Sequence, residues 1–304
     1  MRVSPVRVNL GVASLTGLMG LSAVLVAAPP TPRPRLEPIV RTVFVTVTDG
    51  NGAAVPDLTP ADFTIKEGGK EREIVKAVRA TARMRLAMMV EERLLGDGGV
   101  RNGLFEFMKR VQPQAEMAFI TIGLRNTTLV DYTTDLSKMV AALNGLSLNP
   151  PPQSNLSEGI LDISKTLEKE HPDRPVIVVI AVSGGQSGGA SANEVLNQLR
   201  QSGAMMNAVT IATSQGSTGV GGLADESNRE QVIGDGAKQS GGRRVEVTAT
   251  IAVPKGLQQI ASDLDAQYMI QYTLPEGVKA DRRVNVSLKR RGVSMRAPTL
   301  IPDR

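Results

Sequence analysis

The run Pro175-Val176-Ile177-Val178-Val179-Ile180-Ala181-Val182 has eight residues in a row without a polar side chain. A strand with one wet face alternates, so so uniform a run must be buried on both faces. That requires helices above and below, and so a parallel sheet with crossover helices. The flanking sequence supplies the other elements. Residues 86–90, 117–122, 127–132 and 206–212 read as strands. Between them Leu104, Met108 and Val111 recur at helical spacing, as do Met139, Val140 and Leu143. Leu156, Ile160, Ile163 and Leu167 form a longer apolar stripe, and Val195, Leu196 and Leu199 another. Beyond these, 244–248 predicts a strand, Leu257, Ile260, Ala261 and Leu264 a helix, and 268–273 a last strand of the same sheet. The predicted fold class is α/β, a doubly wound, mostly parallel sheet over residues 83–275.

A second pattern surrounds this one. Val43, Val45 and Val47 alternate with Phe44, Thr46 and Thr48, and Asp49-Gly50-Asn51-Gly52 forces a turn. Thr59-Pro60-Ala61-Asp62 reads as one capped helical turn, with Pro60 at its first position and Asp62 returning to the cap. Residues 63–66 and 71–78 flank Gly68-Gly69, a hairpin signal. Near the other end, 283–288 and 293–296 alternate around Lys289-Arg290-Arg291-Gly292, read as a solvated hairpin tip. Residues 39–82 and 276–304 are expected to form one small β-sandwich-like module.

Residues 1–28 carry Arg2 and Arg7, then no charge from Val8 to Ala28, with Val26-Ala27-Ala28 as small residues before a Pro-rich stretch at 29–38. This predicts an exported chain, periplasmic or secreted, its leader either cleaved or kept as a membrane anchor. With no Cys, neither lipidation through an N-terminal Cys nor a disulfide is available. The 35 Lys and Arg fall to 33 without Arg2 and Arg7, against 30 Asp and Glu, so the basic balance does not call for nucleic acid. Aromatics at 3% leave few platforms for stacking sugars or bases. Residues 213–225, rich in Gly and Ser, predict a mobile loop.

Three passages give the chain a family likeness. They are Val55 to Phe63 with its Val-x-Asp-Leu-Thr-x-x-Asp-Phe core, the alternating α/β region, and Gly241-Gly242-Arg243 followed by Ala266-Gln267-Tyr268-Met269-Ile270-Gln271-Tyr272-Thr273. In these the chain resembles the von Willebrand factor A (VWA) family, and more narrowly the exported bacterial VWFA-related domain proteins. The resemblance covers essentially everything after residue 38. It implies a divalent ion held at the carboxyl end of the sheet by an Asp-x-Ser-x-Ser loop, a Thr and a later Asp. Hard oxygens of this kind suit Mg²⁺.

Carried onto this sequence, the first Asp falls on Glu91, the two Ser on Arg93 and Leu95, the Thr on Ser154 and the later Asp on Ser183. If a metal were retained, Glu91, Ser154 and Ser183 would hold it, with Glu92, Asp97 or Glu158 as compensating carboxylates. The expectation is instead a metal-free protein-binding site built on the same five positions, with no cofactor and with Arg93 as a stand-in for the ion or simply paired to Glu91 or Glu92. The expected function is non-enzymatic protein–protein interaction or scaffolding at the cell envelope or outside the cell, through loops 91–100, 153–158 and 183–191. A Mg²⁺-dependent adhesion module is the alternative.

A third reading is an unrecognised hydrolase or an anion binder. Gly185-Gln186-Ser187-Gly188-Gly189 matches a nucleophile elbow between strand and helix, but the single His, His171, lies upstream of Ser187. The same loop, 183–191, would offer backbone N–H groups to an anion at a helix N-terminus. Met88, Met89, Met205 and Met206 fall in strands and read as packing.

Overall fold

The computed structural model describes residues 39–146, 154–212 and 220–303. Residues 1–28, expected as an export segment, residues 29–38, expected as a linker, and residues 213–219 of the Gly/Ser-rich stretch lie outside the described residues.

Four strands come first: β1 (Ile39–Asp49), β2 (Phe63–Glu67), β3 (Lys70–Arg72) and β4 (Ile74–Arg79). The α/β region then runs β5 (Met84–Glu91), α1 (Gly98–Val111), β6 (Ala115–Ile122), β7 (Thr127–Thr133), α2 (Leu136–Gly145), α3 (Leu156–Glu170) and β8 (Pro175–Val182). It continues through α4 (Ala192–Ser202), β9 (Met205–Ile211), α5 (Val220–Ser240), β10 (Arg244–Val247) and α6 (Val253–Asp265). β11 (Gln267–Leu274), β12 (Val284–Leu288) and β13 (Val293–Arg296) follow.

The six-stranded sheet has the order β10-β9-β8-β5-β6-β7, parallel except for β7. Successive residues of β5 serve opposite cores, as the pleat requires. Leu86, Met88 and Val90 meet Leu104 and Met108 of α1 and Leu257 and Ile260 of α6. Ala87 and Met89 meet Ile160 of α3, Val195 of α4 and Val232 and Ile233 of α5. Each fully buried Val, Leu or Ile of this kind contributes about 1.5–3 kcal/mol. All eight residues of β8 are buried, as the opening run demands.

Two antiparallel sheets, β13-β1-β11-β4 and β12-β2-β3, enclose a third core containing Val43, Val45, Phe63, Ile65, Tyr268, Tyr272 and Val286. Glu67 is wholly buried there, bound by Arg41 Nη1 at 2.8 Å, Tyr272 Oη at 2.6 Å and the Asp281 N–H at 2.7 Å. The capped turn at Thr59 forms, its backbone N–H donating to Asp62 Oδ2 at 2.7 Å.

Four expectations are corrected. Residues 268–273 do not close the large sheet: β11 lies antiparallel between β1 and β4. The reason was visible in its alternation. Tyr268, Ile270, Tyr272 and Leu274 are buried while Met269, Gln271 and Thr273 are half-buried, the pattern of a strand with one covered face. Residues 71–78 are not one strand; the chain breaks at Glu73 and passes from one antiparallel sheet to the other. Likewise Lys289-Arg290-Arg291-Gly292 is no hairpin tip, since β12 pairs with β2 and β13 with β1. Residues 220–225, expected as loop, open α5.

The Gly241-Gly242 pair has a packing reason. Gly241 holds φ +80°, and a Cβ on Gly242 would lie 1.9 Å from the Met206 carbonyl oxygen. The chain can enter β10 this close to β9 only without side chains.

Candidate functional site

β5 and β8 are neighbours and parallel, and beyond Glu91 and Val182 the chain departs to helices on opposite faces of the sheet. A crevice opens at such a switch point, where ligands of open α/β sheets bind. Glu91 ends β5 there with its side chain 1% exposed. Its Oε2 accepts the Val182 N–H at 2.8 Å, which couples the ends of the two strands.

The cation beside Glu91 is Arg229, a residue the sequence reading did not single out. It is fully buried, and its Nη2 lies 2.6 Å from Glu91 Oε1. Nε and Nη2 also donate to the Val182 carbonyl, at 3.0 and 2.9 Å, and Nη1 donates to Gln186 O at 2.9 Å. The same Nη1 is 3.5 Å from Ser154 Oγ. One guanidinium of α5 thus ties together the end of β5, the end of β8, the loop after β8 and the residue ahead of α3.

Arg93 lies on the solvent side of this pair. Its Nε and Nη2 are each 3.3 Å from a Glu91 oxygen, and its side chain is 30% exposed. Burial alone would push the Glu91 pKa up. Arg229, Arg93, the Val182 N–H and the Ser154 hydroxyl outweigh burial and hold it below the usual carboxylate range. A folded pKa below the unfolded value of about 4.3 stabilises fully above that pH, and the gain is lost as pH falls through the folded pKa. Urea midpoints are therefore expected to fall in acid below about pH 4. A Glu91→Gln variant, less stable throughout, is expected to show a flatter acid limb.

Glu91, Arg93 and Ser154 come together. Ser183, half-buried, directly follows Val182, and its N–H donates to Ile211 O at 2.9 Å. Leu95 does not join them and is corrected as a partner-binding position. The short 3-10 turn Glu92–Leu94 rotates it inward, where it is fully buried in the core with Val100 and Leu104. The three compensating carboxylates are engaged elsewhere. Glu92 Oε1 accepts from Thr121 Oγ1 at 3.1 Å. Asp97 caps α1, accepting from the Val100 N–H at 3.0 Å and Thr250 Oγ1 at 2.7 Å. Glu158 accepts from the N–H groups of Gly189 and Ala190, the latter at 3.0 Å, so the loop's anion cradle is filled by the chain's own carboxylate.

These residues do not fit a hydrated divalent ion. Mg²⁺ wants about six oxygens in tight octahedral geometry. Here a guanidinium occupies the space against Glu91, the Val182 carbonyl and Ser154, and a second stands over it.

The elbow-like Ser187 is fully buried, its Oγ 2.5 Å from Ser157 Oγ and 3.0 Å from Asn228 Nδ2. His171 lies just past the far end of α3 from Ser157, a helix roughly 20 Å long. Ser187 is a packing residue in a polar clasp between α3, α5 and the 183–191 loop.

No family model matches the chain, and no curated protein matches it. Solved structures do. Proximal thread matrix protein 1 from the mussel byssus matches 62% of this chain at 8% identity and a TM-score of 0.46. Its structure with a zinc-occupied MIDAS motif matches 66% at 12% identity, also with a TM-score of 0.46. Conserved hypothetical protein BatB from Bacteroides thetaiotaomicron matches 59% of this chain and 98% of its own, at 14% identity and a TM-score of 0.41. The chain spans about half the length of the mussel protein, 49%. The third-second-first-fourth-fifth-sixth strand order, with its antiparallel third strand and its switch point between first and fourth, makes this α/β unit a doubly wound, Rossmann-like, mostly parallel sheet, the fold that the sequence resemblance implies.

Proposed function

We propose that the chain is an exported, non-enzymatic protein-interaction module that engages its partner at the carboxyl edge of the six-stranded sheet without a divalent ion. The observation that carries this reading is the buried contact of Arg229 with Glu91 at 2.6 Å, which supplies from within the positive charge that a metal would otherwise bring. Charge balance at the crevice then needs no ion from solution. Arg93 leaves the trio with one net positive charge facing water.

Exposed apolar residues support the choice of face. Of seven large apolar side chains exposed among the described residues, three lie along this edge. Leu124 (53% exposed) follows β6, Leu223 (65%) lies in the first turns of α5, and Ile251 (83%) follows β10. They lie on three separate segments at the carboxyl end of the sheet, where apolar contacts flanking a charged centre would be expected. Arg2 and Arg7 ahead of the uncharged stretch from Val8 to Ala28 support export.

Two measurements test this. Calorimetry of the full chain with Mg²⁺ and Mn²⁺ is expected to give no binding heat, and chelator no change in melting temperature; submillimolar binding of either ion would refute metal independence. Pull-down from envelope extract is expected to lose its specific partner when Leu124, Leu223 and Ile251 become Ser, and to keep it when Val75 and Val78, exposed on β4, are changed instead. Equal loss in both variants would refute the assignment of the face.

A further inference from the structure

At the amino end of the parallel strands, away from the Glu91 crevice, lies a cavity of about 180 Å³. Val176, Leu199, Met205 and Leu300 supply apolar wall, and Arg174 and Arg200 supply charge. Arg174 is 1% exposed. The other two buried arginines among the described residues each bind a carboxylate directly, Arg229 to Glu91 at 2.6 Å and Arg41 to Glu67 at 2.8 Å. Arg174 donates instead to three neutral oxygens, Gln267 Oε1 at 2.9 Å, Ala82 O at 3.3 Å and Leu264 O at 2.6 Å. The acid whose field reaches it, Asp265, is already bound to Arg110 at 2.7 Å. Arg200 adds a buried Nε–H with no hydrogen-bond partner.

We infer that this cavity binds a small aliphatic monocarboxylate, with its carboxylate on Arg174 and Arg200 and its chain against Leu199, Met205 and Leu300. A buried guanidinium without an anion bears a desolvation cost that an incoming carboxylate offsets. A carboxylate also accepts from two guanidinium groups at once, which a water or an alcohol does less well. Burial pushes the Arg174 pKa down to about 10, so it is still charged at neutral pH. Asp173, exposed in the wall, disfavours a dianion. An apolar cavity of about 150 Å³ admits a six-carbon ring, which sets the chain at roughly six carbons.

Titration of the full chain with hexanoate, with 1-hexanol as the neutral match, decides the matter. Hexanoate is expected to bind with measurable heat and raise the melting temperature, while hexanol at equal concentration does neither. Arg200→Gln, a change on a half-buried helix position, is expected to weaken hexanoate about tenfold. Leu196→Trp, which fills the cavity from its half-buried wall, is expected to abolish binding with the circular dichroism spectrum unchanged. No hexanoate binding to the wild type, equal binding of hexanol, or unchanged affinity in Arg200→Gln would each overturn the assignment. Arg200→Gln keeps the test open if the Trp variant does not fold.

Discussion

Replacing Arg229 with Ala is expected to lower the unfolding free energy by about 3–5 kcal/mol, the range for breaking a buried ion pair from one side. The loss has two sources. Glu91, 1% exposed, keeps its charge with the longer 3.3 Å contacts to Arg93, the Val182 N–H and the Ser154 hydroxyl to hold it. The carbonyls of Val182 and Gln186 lose their donor as well. Arg229→Lys keeps the charge but not the planar fork that reaches Glu91, Val182 and Gln186 together, so an intermediate loss is expected. The double variant Glu91→Leu/Arg229→Met leaves no buried charge and should recover much of the stability. Denaturant unfolding of the four proteins measures all this; a loss under 1 kcal/mol for Arg229→Ala would mean that the pair does not hold the crevice together.

How much of this was legible in the sequence differs between fold and site. The β8 run and the helical stripes of α1, α3, α4 and α6 carried the α/β architecture, because burial on both faces and a 3.6-residue period leave few alternatives. β11 was misplaced because its neighbours in sequence belong to the large sheet, although its alternation argued for one covered face. At the site, Glu91, Arg93 and Ser154 were singled out through the family resemblance, and the fold brings these three side chains together. Arg229 was missed because a lone arginine on a polar helix reads as solvated. The period nonetheless held the signal: Arg229 precedes Val232 by three residues and Ile233 by four, so all three share the face of α5 turned to the sheet. Nothing in the sequence shows that Glu91 waits 138 residues upstream, since that contact is made by the topology.

Leu95→Ser, which would restore the hydroxyl that the family resemblance expects, is predicted to destabilise the fold by about 3–5 kcal/mol rather than to create a ligand. Leu95 is fully buried in the core shared by Val100, Leu104 and Val90. Truncation there leaves a cavity, and the new hydroxyl enters apolar surroundings without a partner. Leu95→Met, close in volume, should cost less than about 1.5 kcal/mol. The comparison separates loss of packing from loss of a specific shape. It also bears on the ion. The 3-10 turn at Glu92–Leu94 aims position 95 into the core, so regaining one ligand would require the turn itself to refold. A Leu95→Ser protein as stable as the wild type, and binding Mn²⁺, would show that the turn moves freely and that the guanidinium of Arg229 can be displaced. The expected result is a weaker fold and a site as indifferent to Mn²⁺ as before.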